Sequence, residues 1–235
     1  MVWVWNKIGL IGAMVEEIER IEERLEGEKV TEIAGIRFQE GAFCGKPVVL
    51  CKSGVGKVNA AVCTQLLIDR FAVDAVIFTG VAGALDPRLD IGDIVISTDC
   101  QQHDMDVTPL GFPRGTIPFA ETSVFPADPA LIKLAAEASV KLEEGRTVQG
   151  RVLSGDQFIA DRETVKQLHE QLGGACTEME GAAVAQVCAM NGKPFVVIRS
   201  MSDKADGSAH VNFAEFTVKA ADRSFRIVEH MVRAM

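Results

Sequence analysis

The chain has 235 residues, of which 48% are hydrophobic and 24% are charged, and this composition predicts a globular protein with a large apolar core. Its formal net charge of −9 and its 24 scattered lysines and arginines argue against DNA or RNA as the main partner. No stretch approaches the roughly 18 apolar residues of a membrane span. The apolar start MVWVWNKIGL lacks the basic region of a signal peptide, so we expect a soluble, cytoplasmic protein.

Short apolar runs alternate with helical patterns in the first half of the chain. KIGLIGAM predicts a strand that ends at Gly12, and VEEIERIEERLEG predicts an amphipathic helix that ends at about Gly27. Strands are expected in KVTEIA, IRFQEGAF and PVVLCKSG, with Gly35 and Gly45 as turn residues. KVNAAVCTQLLIDRF predicts a helix, and AVIFTGVAGAL predicts a buried strand that runs into a glycine-containing loop.

The second half continues the alternation. DIVISTDC predicts a strand, residues 101–127 predict a loop rich in proline and glycine, and a helix is expected at about 128–143. The strand TVQGRVLSG, a helix over 162–172, the strand PFVVIRSMSD and a last helix capped near Asn212 complete the pattern. Buried strands separated by helices predict one α/β domain over residues 1–235, with three α/β/α layers around a mixed, largely parallel sheet.

Five segments follow predicted strands: GAMVEE, TGVAGAL, SGDQFI, TEMEG and RSMSD. Ligands of open α/β sheets bind beyond the carboxyl ends of the strands, so we expect the polar groups of these segments to meet in one pocket. Asp203 is either a turn aspartate or a partly buried carboxyl group whose raised pKa lets it donate a proton. Glu16 and Glu17 either suit the helix dipole as first-turn acids, or one of them is a general base.

Other chemistries fit the residues poorly. TGVAGAL has GxxG rather than GxGxxG spacing, which argues against a nicotinamide cofactor, and KSGVGKVNAAV lacks the spacing of a phosphate-binding loop. His103, Asp104 and Asp106 lie close together without a distant partner, which makes a weak metal site. The six cysteines form no CxxC pair and are expected to be reduced core residues. We therefore expect neither a metal nor a cofactor.

Several segments together match the pattern of one family. IGLIGAMVEEIE, KSGVGKVNAA, TGVAGAL, HDMDVTPLG, SGDQFI, EMEGAAVA and RSMSDKAD occur in its order and spacing. From about residue 7 to the last helix, the chain resembles the bacterial 5′-methylthioadenosine/S-adenosylhomocysteine nucleosidases of the nucleoside phosphorylase-like superfamily. The resemblance implies a homodimer that hydrolyses the bond between adenine and ribose. It leaves open the preference among methylthioadenosine, S-adenosylhomocysteine, 5′-deoxyadenosine and 6-amino-6-deoxyfutalosine.

The same resemblance implies roles for individual residues. Asp203 would protonate adenine at N7, Glu17 would activate the attacking water, and Glu180 would hold the ribose hydroxyls. Glu178 is expected to be the outward-facing glutamate at the edge of the substrate site. Residues near Leu110 and Pro118 would reach across the dimer interface. The other implied substrate-binding residues are Met14, Val81, Val107, Leu110, Phe158 against adenine, Ile159, Met179 against the sugar, Arg199 beside the carboxylates, Ser202 and Phe213.

The sequence departs from the family at two positions and leaves two rival functions open. Val81 replaces a serine found in many relatives, and Leu110 replaces a phenylalanine at the 5′ pocket. One rival is a purine nucleoside phosphorylase, which would carry arginines for phosphate where this chain has GAMVEE and VIFTG. The other is a nucleoside-binding module without catalysis, which would not require an acid and a base at the strand ends.

Overall fold

The strands of the chain join in a ten-stranded mixed sheet. The computed structural model describes residues 5–142, 145–204 and 209–235, with side chains of the last range described from residue 216. The strands are β1 (Ile8–Gly12), β2 (Glu26–Ile33), β3 (Ile36–Phe43), β4 (Lys46–Lys52), β5 (Ala75–Ala84), β6 (Ile94–Gln102), β7 (Val124–Pro126), β8 (Thr147–Ser154), β9 (Gly174–Glu178) and β10 (Phe195–Asp203). The helices are α1 (Val15–Glu22), α2 (Lys57–Phe71), α3 (Pro129–Ser139), α4 (Arg162–Leu172), α5 (Gly181–Met190) and α6 (Ala209–Ala234).

The sheet closes on itself at one end. Its strands follow the order β10–β6–β8–β9–β5–β1–β4–β3–β2, with β7 beside β6, and β10 also pairs with β5. Five strands, β5, β10, β6, β8 and β9, therefore form a closed ring, from which the other four on the path extend as an open sheet. Parallel pairs such as β1–β5 and β5–β10 occur beside antiparallel pairs such as β6–β10. The predicted α/β fold with a mixed sheet is confirmed, but the closure was not predicted.

Helices cover the sheet in two layers, which gives the predicted three-layer arrangement. Apolar residues of α2 and α5 pack in one buried cluster, which includes Leu67 and Val184. Residues of α1, α3 and α6 pack in a second cluster on the opposite face, which includes Ile18, Leu131 and Val228. Burial of this apolar surface is the main force that stabilises the layers. None of the helices in the described ranges is long and apolar enough to cross a membrane.

Several element boundaries differ from those predicted. Helix α1 ends at Glu22 because the chain from Glu26 onward pairs with β3 as strand β2. The TGVAGA segment is not a loop but part of β5, because β10 and β9 hydrogen-bond to it on its two sides. Residues 101–127 contain a 3-10 turn at Thr108–Leu110 and the short strand β7. Helix α6 begins at Ala209 rather than near Asn212.

Candidate active site

A cavity of about 300 Å³ lies at the carboxyl ends of the central strands, as predicted for an α/β sheet. Its size is at the lower limit of typical small-molecule sites. The segments after β1, β8 and β9 and the ends of β5 and β10 all contribute to its wall, so the predicted convergence is observed. The lining residues are Ala13, Met14, Glu17, Val55, Val81, Ala82, Gly83, Gln157, Phe158, Ile159, Thr177, Glu178, Met179, Glu180, Ser202 and Asp203.

Glu17 is a buried carboxylate held by backbone donors at the start of α1. Its Oε2 accepts hydrogen bonds from the N–H groups of Ala13, at 2.6 Å, and Met14, at 3.0 Å. Its Oε1 accepts from the Val81 N–H of β5, at 3.0 Å. Burial raises the pKa of Glu17 above its ordinary value, although the positive charge of Arg199 opposes that rise. Glu17 thus caps its helix and also faces the pocket, whereas Glu16 is exposed.

Val81 takes part in this arrangement through its backbone. Its side chain is buried and lines the pocket, and its N–H donates to Glu17. The valine side chain offers no hydroxyl such as a serine would supply. Its contact with the Glu17 carboxylate comes from the backbone N–H alone.

Asp203 is the last residue of β10, and its buried side chain also lines the cavity. The register between β10 and β5 shifts between Met201 and Asp203, which is an irregularity at the strand end. The hydroxyl of Ser202 donates to Asp203 Oδ2 at 2.9 Å and also lies 3.4 Å from the Ala82 carbonyl oxygen. Ser202 therefore orients the carboxyl group that the sequence predicts to be the proton donor.

Glu178 is buried and not outward-facing, which corrects the prediction. Glu178 is the last residue of β9, and Glu180 is the N-cap of α5. The two residues therefore do not lie within one helix, where side chains two positions apart would point to nearly opposite faces. Glu178 forms an ion pair with Arg199 and accepts hydrogen bonds from the Ser154 hydroxyl and the Gly181 N–H. The carboxylate of Glu178 is thus already bound by other groups of the protein, although the side chain also borders the cavity.

Arg199 lies behind the pocket and not in its lining. The side chain is 1% exposed, and its guanidinium group stacks on the Phe78 ring at 3.9 Å from the centroid. Burial by itself would lower the pKa of Arg199, but the charges of Glu178, Glu17 and Glu180 outweigh that effect and raise it. The predicted position of Arg199 beside the carboxylates is therefore observed, and it supplies the positive charge that a group of buried acids requires.

Glu180 lies at the N-terminus of α5 and its Oε1 accepts a hydrogen bond from the Gly56 N–H at 2.8 Å. Burial, reinforced by the negative charge of Glu178, raises the pKa of Glu180 to about 8, while Arg199 opposes the shift. The raised pKa favours the protonated form of Glu180, which can both donate and accept hydrogen bonds.

The predicted base-binding residues form one side of the cavity. Ile159 is buried, whereas Phe158 is 51% exposed, which leaves part of its ring accessible from the cavity mouth. Met14 and Met179 contribute partly buried thioether side chains. Apolar and polarizable groups of this kind suit an aromatic base and a thioether substituent.

Other predicted residues lie away from this cavity. Val107 and Leu110 belong to the segment that follows β6 and are not in the lining; Leu110 is 70% exposed. Phe213 lies in the part of α6 whose side chains are outside the described residues. Asp104 pairs with Lys57, and Asp106 accepts hydrogen bonds from Thr108. No group of three metal-ligating side chains occurs within the described ranges.

The structure adds residues that the sequence did not identify. A Cβ atom on Gly80 would lie well within 3.0 Å of Glu17 Oε1 and Arg199 Nη1, so only glycine allows these two groups to approach β5. Ser154 links Glu178 to the Ala182 N–H of α5. Gly80 lies in the predicted pocket segment TGVAGAL, but the need for glycine there depends on side chains from two distant segments.

The cavity wall offers, among the described residues, no cationic side chain that could bind an anionic nucleophile such as phosphate. Its described lining contains Glu17, Glu178, Glu180 and Asp203, and none of the described lining residues is a lysine or arginine. Phosphate sites in proteins use arginine or lysine side chains, whereas a carboxylate that accepts a hydrogen bond from water can deprotonate it. A buried carboxyl group in the first turn of α1 and a second one at the end of β10 are the groups that general acid–base cleavage requires.

Nearly the whole chain is similar to proteins of one group. A family model described as the phosphorylase superfamily matches residues 7–233. A 5′-methylthioadenosine/S-adenosylhomocysteine nucleosidase of Shewanella sediminis is 44% identical over 223 residues, which cover 94% of this chain and 96% of that protein. The crystal structure of the Neisseria meningitidis enzyme of the same name, in complex with methylthio-immucillin-A, has a TM-score of 0.94 at 40% identity and covers 98% of this chain and 100% of that chain. A futalosine hydrolase of Helicobacter pylori has a TM-score of 0.93 at 34% identity and covers 98% of each chain.

Proposed function

The chain belongs to the 5′-methylthioadenosine/S-adenosylhomocysteine nucleosidases of the phosphorylase superfamily, and from this premise we propose that it hydrolyses the bond between adenine and ribose in these two nucleosides. The observation that carries the proposal is the buried Glu17 carboxylate, which three backbone N–H groups hold at the edge of a cavity lined by acids. This arrangement supports water as the nucleophile and disfavours phosphate, the nucleophile of the phosphorylases.

The residue roles follow from the charges that develop when the bond breaks. The ribose becomes positive and the purine negative, so the reaction requires a proton for the base and a nucleophile for the sugar. Asp203 donates the proton to adenine N7, and Ser202 orients it. Glu17 accepts the proton of the attacking water. Glu180 binds the ribose hydroxyls and, once ionised, stabilises the cationic sugar.

The substrate range includes related adenine nucleosides. The nucleobase contacts Phe158 and Ile159, and the sugar and its 5′ substituent lie against Met14 and Met179. None of these contacts requires a particular group at the far end of the 5′ substituent. We therefore include 5′-deoxyadenosine and, given the similarity to a futalosine hydrolase, 6-amino-6-deoxyfutalosine among the candidate substrates. Hydrolysis of methylthioadenosine serves methionine salvage, and hydrolysis of S-adenosylhomocysteine removes a by-product of methyl transfer.

We further propose that the enzyme is a cytoplasmic homodimer. Several large apolar side chains are exposed on the N-terminal part of α2 and on the segment that contains Leu110 and Phe119. The ion pair between Lys57 and Asp104 brings the start of α2 close to the segment that follows β6. An exposed apolar surface of this kind is typical of an interface. Residues near Leu110 and Pro118 would then complete the 5′ pocket of the partner. The six free thiols support a reducing compartment.

The test is to measure adenine release from methylthioadenosine in phosphate-free buffer and again with added phosphate, with identification of the sugar product. We expect release without phosphate and free methylthioribose as the product. Release only with phosphate, together with a sugar 1-phosphate, would show a phosphorylase. Binding of methylthioadenosine without any adenine release would show a binding module.

The proton-donor role is tested with Asp203→Asn. Removal of a general acid typically slows turnover by about 10²–10⁴-fold, and because the amide has nearly the same shape we expect binding of the substrate methylthioadenosine to remain. Measurement of kcat and of the dissociation constant of methylthioadenosine for the slow variant separates the two effects. Near-normal kcat in the variant would remove Asp203 from the mechanism.

A further inference from the structure

Gly56, the residue that donates to Glu180, lacks a side chain with which to cap its own helix. It is the N-cap of α2 and adopts φ = +99°, a conformation that favours glycine. The first helical N–H groups require acceptors, and here a residue distant in sequence supplies one. The Lys57 N–H donates to Asp156 Oδ1 at 2.8 Å, so Asp156 caps α2 from the β8–α4 loop.

Asp156 is itself held by Asp104, which closes a ring of three residues. The Asp156 N–H donates to Asp104 Oδ2 at 2.9 Å. Lys57 Nζ donates to Asp104 Oδ1 at 2.6 Å and to Gln102 Oε1 at 2.9 Å. Each of the three ring residues thus contacts the other two, and they come from three segments that are far apart in the chain.

The ring lies between two parts of the pocket without lining it. On one side, Lys57 is bonded in sequence to Gly56, whose N–H holds the Glu180 carboxyl group. On the other side, Asp156 precedes Phe158 and Ile159, which line the cavity. Lys57 and Asp104 are largely buried, with 19% and 16% of their side chains exposed, so their ion pair is less screened than a surface pair.

We propose that Asp156, Lys57 and Asp104 are positioning residues that hold the Gly56 N–H against Glu180 and fix the ribose carboxyl group relative to the nucleobase loop. The proposal rests on the ribose-binding role of Glu180. It also gives a role to Lys57 and Asp104, which lie in sequence segments that resemble part of a phosphate loop and a metal cluster. In this structure the lysine and the aspartate pair with each other.

The first test is Asp156→Ala, which removes the acceptor for the Lys57 N–H. Loss of an N-cap interaction costs about 1 kcal/mol. If that free energy is lost from the binding of ribose by Glu180, kcat/KM for methylthioadenosine should drop about five- to tenfold. The matched control is Asp128→Ala, because Asp128 caps α3 through hydrogen bonds to Ala130 and Leu131. The control should lower the melting temperature to a similar extent but leave kcat/KM within about twofold.

A double-mutant cycle distinguishes positioning from general stabilisation. The dissociation constant of methylthio-immucillin-A is measured for wild type, Asp156→Ala, Glu180→Ala and the double variant. We expect the weakening caused by Asp156→Ala to shrink to less than about twofold when Glu180 is absent, because nothing is left to position. An equal weakening in both backgrounds would overturn the inference and leave the ring a structural feature. If Glu180→Ala alone does not weaken binding, the proposed ribose role of Glu180 fails instead.

Lys57→Met keeps the proposal testable if Asp156→Ala does not fold. This variant removes the cation from Asp104 but retains the Lys57 N–H. We expect it to weaken analogue binding in the same direction, and its effect should not add to that of Asp104→Asn, because both break the same ion pair. Additive effects, or none in either variant, would contradict the ring.

Discussion

At the scale of single residues, the main property of the site is how three backbone donors and one cation balance the burial of Glu17. Burial favours the protonated form, whereas the three N–H donors and the charge of Arg199 favour the carboxylate. The net effect raises the pKa of Glu17, so the group is a stronger base than an exposed glutamate. A base of this strength removes a proton from water more readily than an ordinary carboxylate does.

This balance predicts the pH dependence of catalysis. The proposed general base must be deprotonated to accept a proton from water, so kcat/KM should fall as pH decreases through the raised pKa of Glu17, and the acidic limb should lie above the ordinary value of 4.5. Arg199→Gln removes a charge that lowers this pKa, so the limb should move to higher pH. Arg199→Lys, which retains a positive charge, should move it less. The measurement is kcat/KM from pH 4 to 9, with circular dichroism to confirm folding; a limb that does not move would assign it to another group.

At the scale of elements, strand β5 determines how closely the side chains of Glu17 and Arg199 approach the sheet. Gly80→Ala places a methyl group well within 3.0 Å of Glu17 Oε1 and Arg199 Nη1. Displacement of a catalytic group by about 1 Å can cost about a hundredfold in rate, so we expect a loss of kcat of that order. Crowding of the core should also lower the unfolding free energy by about 1–3 kcal/mol.

The control for this substitution is Gly9→Ala in β1. There the three nearest atoms to the added Cβ would be side-chain atoms of Leu67 and Val73, at 3.1 and 3.4 Å, and the Ala75 carbonyl oxygen, at 3.6 Å. We expect Gly9→Ala to reduce stability without a change in kcat. Equal kcat for the two alanine variants would show that Gly80 serves packing alone.

The elements also show what the sequence could and could not predict. Local periodicity was sufficient for β1, α2 and α4, whose predicted limits agree with the structure. The course of β5 through TGVAGA was not predictable locally, because partners from β9 and β10 decide it. The inward direction of Glu178 likewise depends on Arg199, a residue of another strand. Pairings between distant segments therefore account for both misassignments.

At the scale of the whole molecule, the exposed apolar surface carries the last prediction. Phe119 is 94% exposed and packs edge-on against Phe112, with ring centroids 5.8 Å apart, and Val58 at the start of α2 is 74% exposed. Exposure of such groups to water is unfavourable, and a second copy of the chain would bury them. In analytical ultracentrifugation we expect wild-type protein to have a molecular mass of about twice the 25.3 kDa of one chain.

Phe119→Asp places a charge on this surface and should yield a monomer. Because the 5′ pocket would then lack the residues near Leu110 and Pro118 of the partner, kcat/KM for methylthioadenosine should fall about tenfold or more, the effect of losing one apolar contact. Val140→Asp is the matched control, since Val140 is exposed at the end of α3, on the opposite helical layer. It should remain a dimer with full activity. A Phe119→Asp monomer as active as the wild type would show that each chain completes its own 5′ pocket, whatever role the interface has in stability.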